Sequence, residues 1–166
     1  GEEGYPVYRI PAVIVAANGD ILAFAEARQK LSDTSENDLV MKRSTDNGQS
    51  WQPLQLVAED GAASLNNPCV ITLRDGGRIL LMYQRYPPGL NERSVVPGID
   101  GDKIVRVLLI HSDDHGATWS EPRDITRDAK PAARITSVAS GHGNAIQLRR
   151  GPFAGRVLFP LNRCPY

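Results

Sequence analysis

One eight-residue signature occurs twice in this chain and confines it to a repeated architecture. It reads Ser44-Thr45-Asp46-Asn47-Gly48-Gln49-Ser50-Trp51, and again Ser112-Asp113-Asp114-His115-Gly116-Ala117-Thr118-Trp119; both fit S-x-D-x-G-x-[ST]-W. Five fixed positions matched twice mark a repeated supersecondary unit. The chemistry of the signature is that of a turn. Asp accepts backbone N–H bonds, Gly takes a positive φ, and Ser bonds into the same loop. The tryptophan then returns as a large apolar anchor between repeats. Ser44, Asp46, Gly48, Trp51, Ser112, Asp114, Gly116 and Trp119 are accordingly read as structural, with Asp46 and Asp114 as turn-makers.

The segments around the signatures read as β-hairpins. Ile10 to Val15 leads through Asn18-Gly19-Asp20 into Ile21 to Phe24 and ends at Arg28. Cys69 to Leu73 leads through Asp75-Gly76-Gly77 into Ile79 to Tyr83 and ends at Arg85; Ala145 to Leu148 leads through Gly151 to Gly155 into Val157 to Phe159 and ends at Arg163. Short apolar runs joined by Gly and Asp turns are hairpin signals. A third strand runs into each signature (Asp38 to Arg43, Lys103 to His111), and a fourth follows, as in Leu54 to Val57. Tyr86 to Asp102, rich in proline and glycine, reads as an exposed loop. Four antiparallel strands per repeat predict an all-β fold, a β-propeller. Its units are blade 1 (about 8–58), blade 2 (about 66–126) and the start of blade 3 (about 141–166). Propellers close on themselves with about four to eight blades, so the chain is expected to be part of a longer protein.

Composition narrows the function classes. Lys plus Arg and Asp plus Glu both total 19, giving a formal net charge of zero. A phosphate-gripping nucleic-acid binder would carry a basic excess. No apolar run reaches the ~20 residues of a membrane span, and Gly1 to Gly4 has no signal-peptide character. Cys69 and Cys164 match no metal spacing; they read as two small, partly buried side chains, with a disulfide as the alternative.

Tyr8-Arg9-Ile10-Pro11, then Leu22-Ala23-Phe24-Ala25-Glu26-Ala27-Arg28, then the two Asp boxes, resemble the sialidases (neuraminidases), six-bladed propellers that remove terminal sialic acid from glycans. Lys42-Arg43-Ser44 and the glycine-rich run Ser140 to Leu148 are similar too, so the likeness spans essentially the whole chain. It implies that Arg9 is one of three arginines clamping the sugar carboxylate, a role suited to a planar, always charged fork. It implies that Asp33 is the general acid/base, for which a covered pocket and a raised pKa would help. Glu36 and Asp38 compete for that role, Asp38 reading more as a turn residue. By the same likeness Arg28 lies near the ring hydroxyls. Asn67 stands where many bacterial relatives have Asp before the proline; it either bonds the sugar or merely starts a strand. His142 either lines the pocket rim or is simply exposed. Arg85 and Arg163 are repeat-equivalent positions of low functional weight.

Family members use a Tyr nucleophile activated by Glu, an exception among glycosidases, and two further arginines. None has a motif match in this chain. The expected partners are sialylated glycans (glycoproteins, glycolipids, oligosaccharides), with no cofactor, no metal and no nucleic acid. The resemblance favours a secreted, periplasmic or lysosomal location. The rival readings are a non-catalytic Asp-box propeller that binds glycans or proteins, and a glycosidase for another anionic keto sugar.

Overall fold

Apolar alternation interrupted by Asn-Gly and Gly-Gly turns folds here into two antiparallel meanders. The computed structural model describes residues 2–130, 134–141 and 143–164. The first meander is β1 (Val7–Val15), β2 (Ile21–Arg28), β3 (Asn37–Ser44) and β4 (Gln55–Ala58). The second is β5 (Ser64–Thr72), β6 (Ile79–Tyr86), β7 (Arg106–Ser112) and β8 (Arg123–Asp124). A short helix, α1 (Thr126–Ala129), leads to β9 (Ser137–Ser140), β10 (Gly143–Asn144), β11 (Ile146–Gln147), β12 (Val157–Leu158) and β13 (Leu161–Cys164). Pairing runs β1-β2-β3-β5-β6-β7-β8, with β4 also on β3 and β10 on β5. The β3–β5 link is one parallel pair, Asn37 with Ser64. β1 and β8 end the path, so this sheet does not close on itself among the described residues.

The core lies between the meanders. Leu22, Phe24, Leu39 and Met41 of the first pack with Leu65, Val70, Ile79, Leu81, Tyr83 and Ile110 of the second. Trp119 joins them edge-on to Phe24, with ring centroids 5.8 Å apart. The second Asp box is pressed against the first meander, where a Cβ on Gly116 would stand 2.9 Å from Leu22 Cδ1. Arg43 fixes that docking by donating to Asp20 at 2.5 Å and to the His115 carbonyl at 2.8 Å. The other signature tryptophan is placed differently. Trp51 is 43 % exposed, because it lies on the face of the first meander turned away from the second.

β1, β2, β5 and β6 run beyond the expected hairpins at the ends away from their turns, whereas β11 and β12 are shorter than expected. The third hairpin is divided: β11 pairs with β12 as expected, while β13 pairs with an unanticipated β9. The Tyr86–Asp102 loop has order of its own, with Val95 buried beside Tyr86 and Val105. Asp38 is a strand residue, not a turn; it lies in β3 opposite Ala27 and accepts the Tyr5 hydroxyl at 2.7 Å. Cys69 is a free thiol, and burial pushes its pKa to about 11.

Two breaks in register shape the end of the molecule that matters. β1 and β2 slip between Arg9 and Ala12, and β5 and β6 slip between Asn66 and Cys69. In each bulge the residue before proline has a left-handed backbone, Ile10 and Asn67 both at φ 55°. That conformation is uncommon for a side-chain-bearing residue and unusual for a β-branched one. Bulges turn a side chain out of the pleat and cluster near active sites.

Candidate active site

The bulged ends of β1 and β5 and the exits of β2 and β6 surround one cavity of about 410 Å³. Ligand clefts run from about 300 to 1,000 Å³. Its walls include Arg9, Arg28, Asp33, Asn66, Asn67 and Tyr86, with Asn91, Glu92 and Arg93 contributed by the long loop after β6. Four residues singled out from sequence, Arg9, Arg28, Asp33 and Asn67, thus share one space. His142 lies outside the described residues. The Asp-box residues sit elsewhere, in their own turns.

Arg28 is buried to 2 % exposure, and each of its three nitrogens donates a hydrogen bond. Its Nε donates to Glu26 Oε2 at 2.7 Å, Nη2 donates to the same oxygen, and Nη1 donates to Asp33 Oδ1 at 2.6 Å and the Leu31 carbonyl at 3.3 Å. Burial alone would lower its pKa, but Asp33 and Glu26 outweigh that and raise it. Arg9 differs. Its side chain is 43 % exposed and touches Asp33 at only 3.5 Å, so most of its donors face the cavity and solvent. Asp33 is 70 % exposed and bridges both guanidinium groups. The covered setting anticipated for this acid is absent among the described residues. The bridge between two cations holds the carboxylate in place instead.

Glu26 was not singled out in advance, yet it organises the floor of the site. It is fully buried; Oε2 takes Arg28 while Oε1 accepts the Asn67 backbone N–H at 2.7 Å. Burial pushes its carboxyl pKa up, against the pull of the Asn67 amide and the Arg28 charge. The available signal was a lone carboxylate in an apolar strand, two positions before Arg28 and hence on the same face. Asn66 was also missed. It is 6 % exposed, accepts Asn37 Nδ2 at 3.1 Å and donates to the Ser64 hydroxyl at 2.9 Å.

Strand register sorts the repeat-equivalent positions. Arg9 pairs with Glu26 and Asn66 pairs with Gln84. Hence Arg9 corresponds to Asn66, Glu26 to Gln84, and Arg28 to Tyr86. Arg85 corresponds instead to Ala27, so its side chain faces away from the cavity and pairs with Asp60. Arg163 lies in β13 opposite Val138 and does not line the cavity. Among the described residues, no group of three or more His, Cys, Asp or Glu is placed to hold a metal, and no helix is long and apolar enough to cross a membrane.

A family model described as "BNR repeat-like domain" matches residues 19–164. The chain is 33 % identical over 165 residues to a sialidase from Micromonospora viridifaciens, covering 95 % of this chain and 25 % of that protein. It is 34 % identical over 166 residues to an exo-alpha-sialidase from Aspergillus fumigatus, covering 89 % and 40 %. Among solved structures, the Hadza microbial sialidase Hz136 superposes with a TM-score of 0.85 at 25 % identity, over 96 % of this chain and 33 % of that one. An intramolecular trans-sialidase from Ruminococcus gnavus superposes at 0.87 with 16 % identity, over 96 % and 56 %, and speaks for the fold alone. Fold and sequence together define a repeat protein built of antiparallel β-meanders carrying Asp boxes. The chain belongs to the sialidase BNR-repeat family. It spans 25 to 40 % of the length of these two curated relatives.

Proposed function

We propose that the protein containing this chain is an exo-α-sialidase that hydrolyses terminal sialic acid from glycoconjugates with retention. In this reading the chain supplies blades 1 and 2 and the start of blade 3 of a six-bladed propeller, and later blades supply the Tyr–Glu pair. One observation carries the reading: Arg9, Arg28, Asp33 and Asn67 come from four separate strand ends or loops yet border a single cavity.

Division of labour follows from how each group is held. Arg9 is the clamp, since its donors are only weakly engaged and a bidentate carboxylate is its best partner. As the substrate carboxylate takes Arg9, the 3.5 Å contact to Asp33 is released. Asp33 keeps its bond to Arg28 and reaches the glycosidic oxygen as the acid/base. Arg28, immobilised by Glu26, faces the ring hydroxyls only through the edge that Asp33 leaves open. Asn67 contacts the ring from the second blade.

The test is release of sialic acid by the full-length protein from a natural sialoglycan and from a fluorogenic sialoside. Asp33→Ala is expected to slow turnover of the natural glycan about 100- to 10,000-fold, the usual contribution of a general acid. The fluorogenic substrate, whose leaving group needs less protonation, should suffer less. Arg9→Ala is expected to raise KM about 10- to 100-fold, matching the loss of charge-assisted bonds of about 1.5–3 kcal/mol. Wild-type rates in both variants would overturn the assignment.

A further inference from the structure

Glu26 and Gln84 occupy the same repeat position, and each reaches out of its own meander to the strand that follows. Glu26 holds the bulge of β5 through the Asn67 N–H. Gln84, fully buried in β6, donates from Nε2 to the Ser140 hydroxyl of β9 at 2.9 Å. The Ser140 hydroxyl donates to the Asn67 carbonyl, and Asn67 Nδ2 donates to Gln84 Oε1 at 3.1 Å. Three residues from three strands thus form a closed ring of hydrogen bonds, in which Ser140 Oγ also lies 3.3 Å from Gln84 Oε1. Such rings polarise their members and are costly to break when buried.

The ring decides what Asn67 can offer. Its N–H, its carbonyl and its side-chain nitrogen are all engaged. Its Oδ1 takes no partner among the described residues, and Asn67 borders the cavity. An asparagine amide normally turns either end to a ligand with equal ease; here Gln84 holds one hydrogen of Nδ2 and so fixes which way the amide is turned. The left-handed backbone at φ 55°, otherwise costly at a non-glycine residue, is over-determined by the same contacts.

We infer that Gln84 and Ser140 are positioning residues that lock Asn67 with Oδ1 toward the cavity, so that this wall accepts a hydrogen bond from a hydroxyl or amide N–H of the bound sugar. The inference rests on the sialidase reading for its ligand, while the lock itself is independent of activity. It also gives a reason why the second blade tolerates a neutral asparagine: orientation supplies the acceptor that a carboxylate would supply by charge.

Two measurements on the full-length protein test it. In ¹⁵N-labelled wild type, the Asn67 side-chain NH₂ is expected to exchange with D₂O far more slowly than solvent-exposed asparagine amides, and Gln84→Met is expected to abolish that protection. Exchange at the exposed rate in wild type overturns the proposal whatever the enzyme's activity. In the second, sialoside kinetics are compared in a double-mutant cycle. Gln84→Met is expected to raise KM about ten-fold with kcat within two-fold, and to have less than a two-fold effect in the Asn67→Ala background. Ser140→Ala serves as the second entry to the cycle if Gln84→Met folds poorly. Equal losses in both backgrounds would mean general destabilisation and would overturn the role. Absence of any sialoside turnover, with the amide protected, would sink the sialidase reading and leave the lock standing.

Discussion

Asp46 and Asp114 make the same bonds in the two Asp boxes. Ser44 and Ser112 each donate to the aspartate Oδ1 at 2.8 Å, and the backbone N–H of Ser50 and of Thr118 donates to it at 2.9 Å. The hydroxyls of Ser50 and Thr118 take Oδ2 at 2.5 and 2.6 Å. Led by the Ser50 hydroxyl, these bonds hold the Asp46 carboxyl at a pKa of about 2; led by the Thr118 hydroxyl, they depress Asp114 as well. Both folded-state values lie below the ordinary 3.8. The stabilisation is therefore complete above about pH 4 and is lost as pH falls through the folded-state values. The stability gap between wild type and an Asp46→Asn/Asp114→Asn variant, followed by thermal unfolding in circular dichroism, should shrink from pH 5 to pH 2. A gap independent of pH would contradict this. These turns were legible in sequence because every bond spans four residues or fewer. Glu26, Gln84 and Ser140 were not, since their partners lie 41, 17 and 56 positions away; only folding reveals which buried polar group meets which.

Among the elements, the hairpins of β1–β2 and β5–β6 followed from apolar alternation and turn residues, whereas the grouping of Arg9, Arg28 and Asp33 followed from the family resemblance alone. Alternation does not disclose a bulge. The slips at Arg9–Ala12 and Asn66–Cys69 leave no mark in the alternation, and Arg85 was aligned with Arg28 because each closes an apolar run, although register matches Tyr86 to Arg28. The strand β9 escaped because Ser137 to Ser140 is half serine, and its Val138 joins a cluster with residues distant in sequence, Met82 and Val107 among them. The two tryptophans of one motif likewise separate in context. Phe24, 2 % exposed, seals the two meanders against Trp119, and Phe24→Ala should cost about 3–5 kcal/mol. Trp51→Ala, at a residue 43 % exposed, should cost less than half of that. Urea denaturation distinguishes them; equal losses would mean that the packing between meanders is not what holds them together.

For the molecule as a whole, zero net charge leaves function to a few placed groups, and the structure concentrates them at one end. Tight turns and Asp boxes occupy the opposite end of the strands, where they fix one meander against the next. The division has a physical basis: hairpin turns must be short to set register, whereas bulges and long connections are free to carry chemistry. The site is built across meanders, with Glu26 reaching Asn67 and Gln84 reaching Ser140, so its geometry depends on their packing. The most direct measurement is a crystal structure of the full-length protein with a 2,3-unsaturated sialic acid analogue. The account predicts the ligand carboxylate within about 3 Å of the Arg9 guanidinium, with Asp33 and Asn67 on the same sugar ring. A ligand bound elsewhere, or a carboxylate held without Arg9, would contradict it.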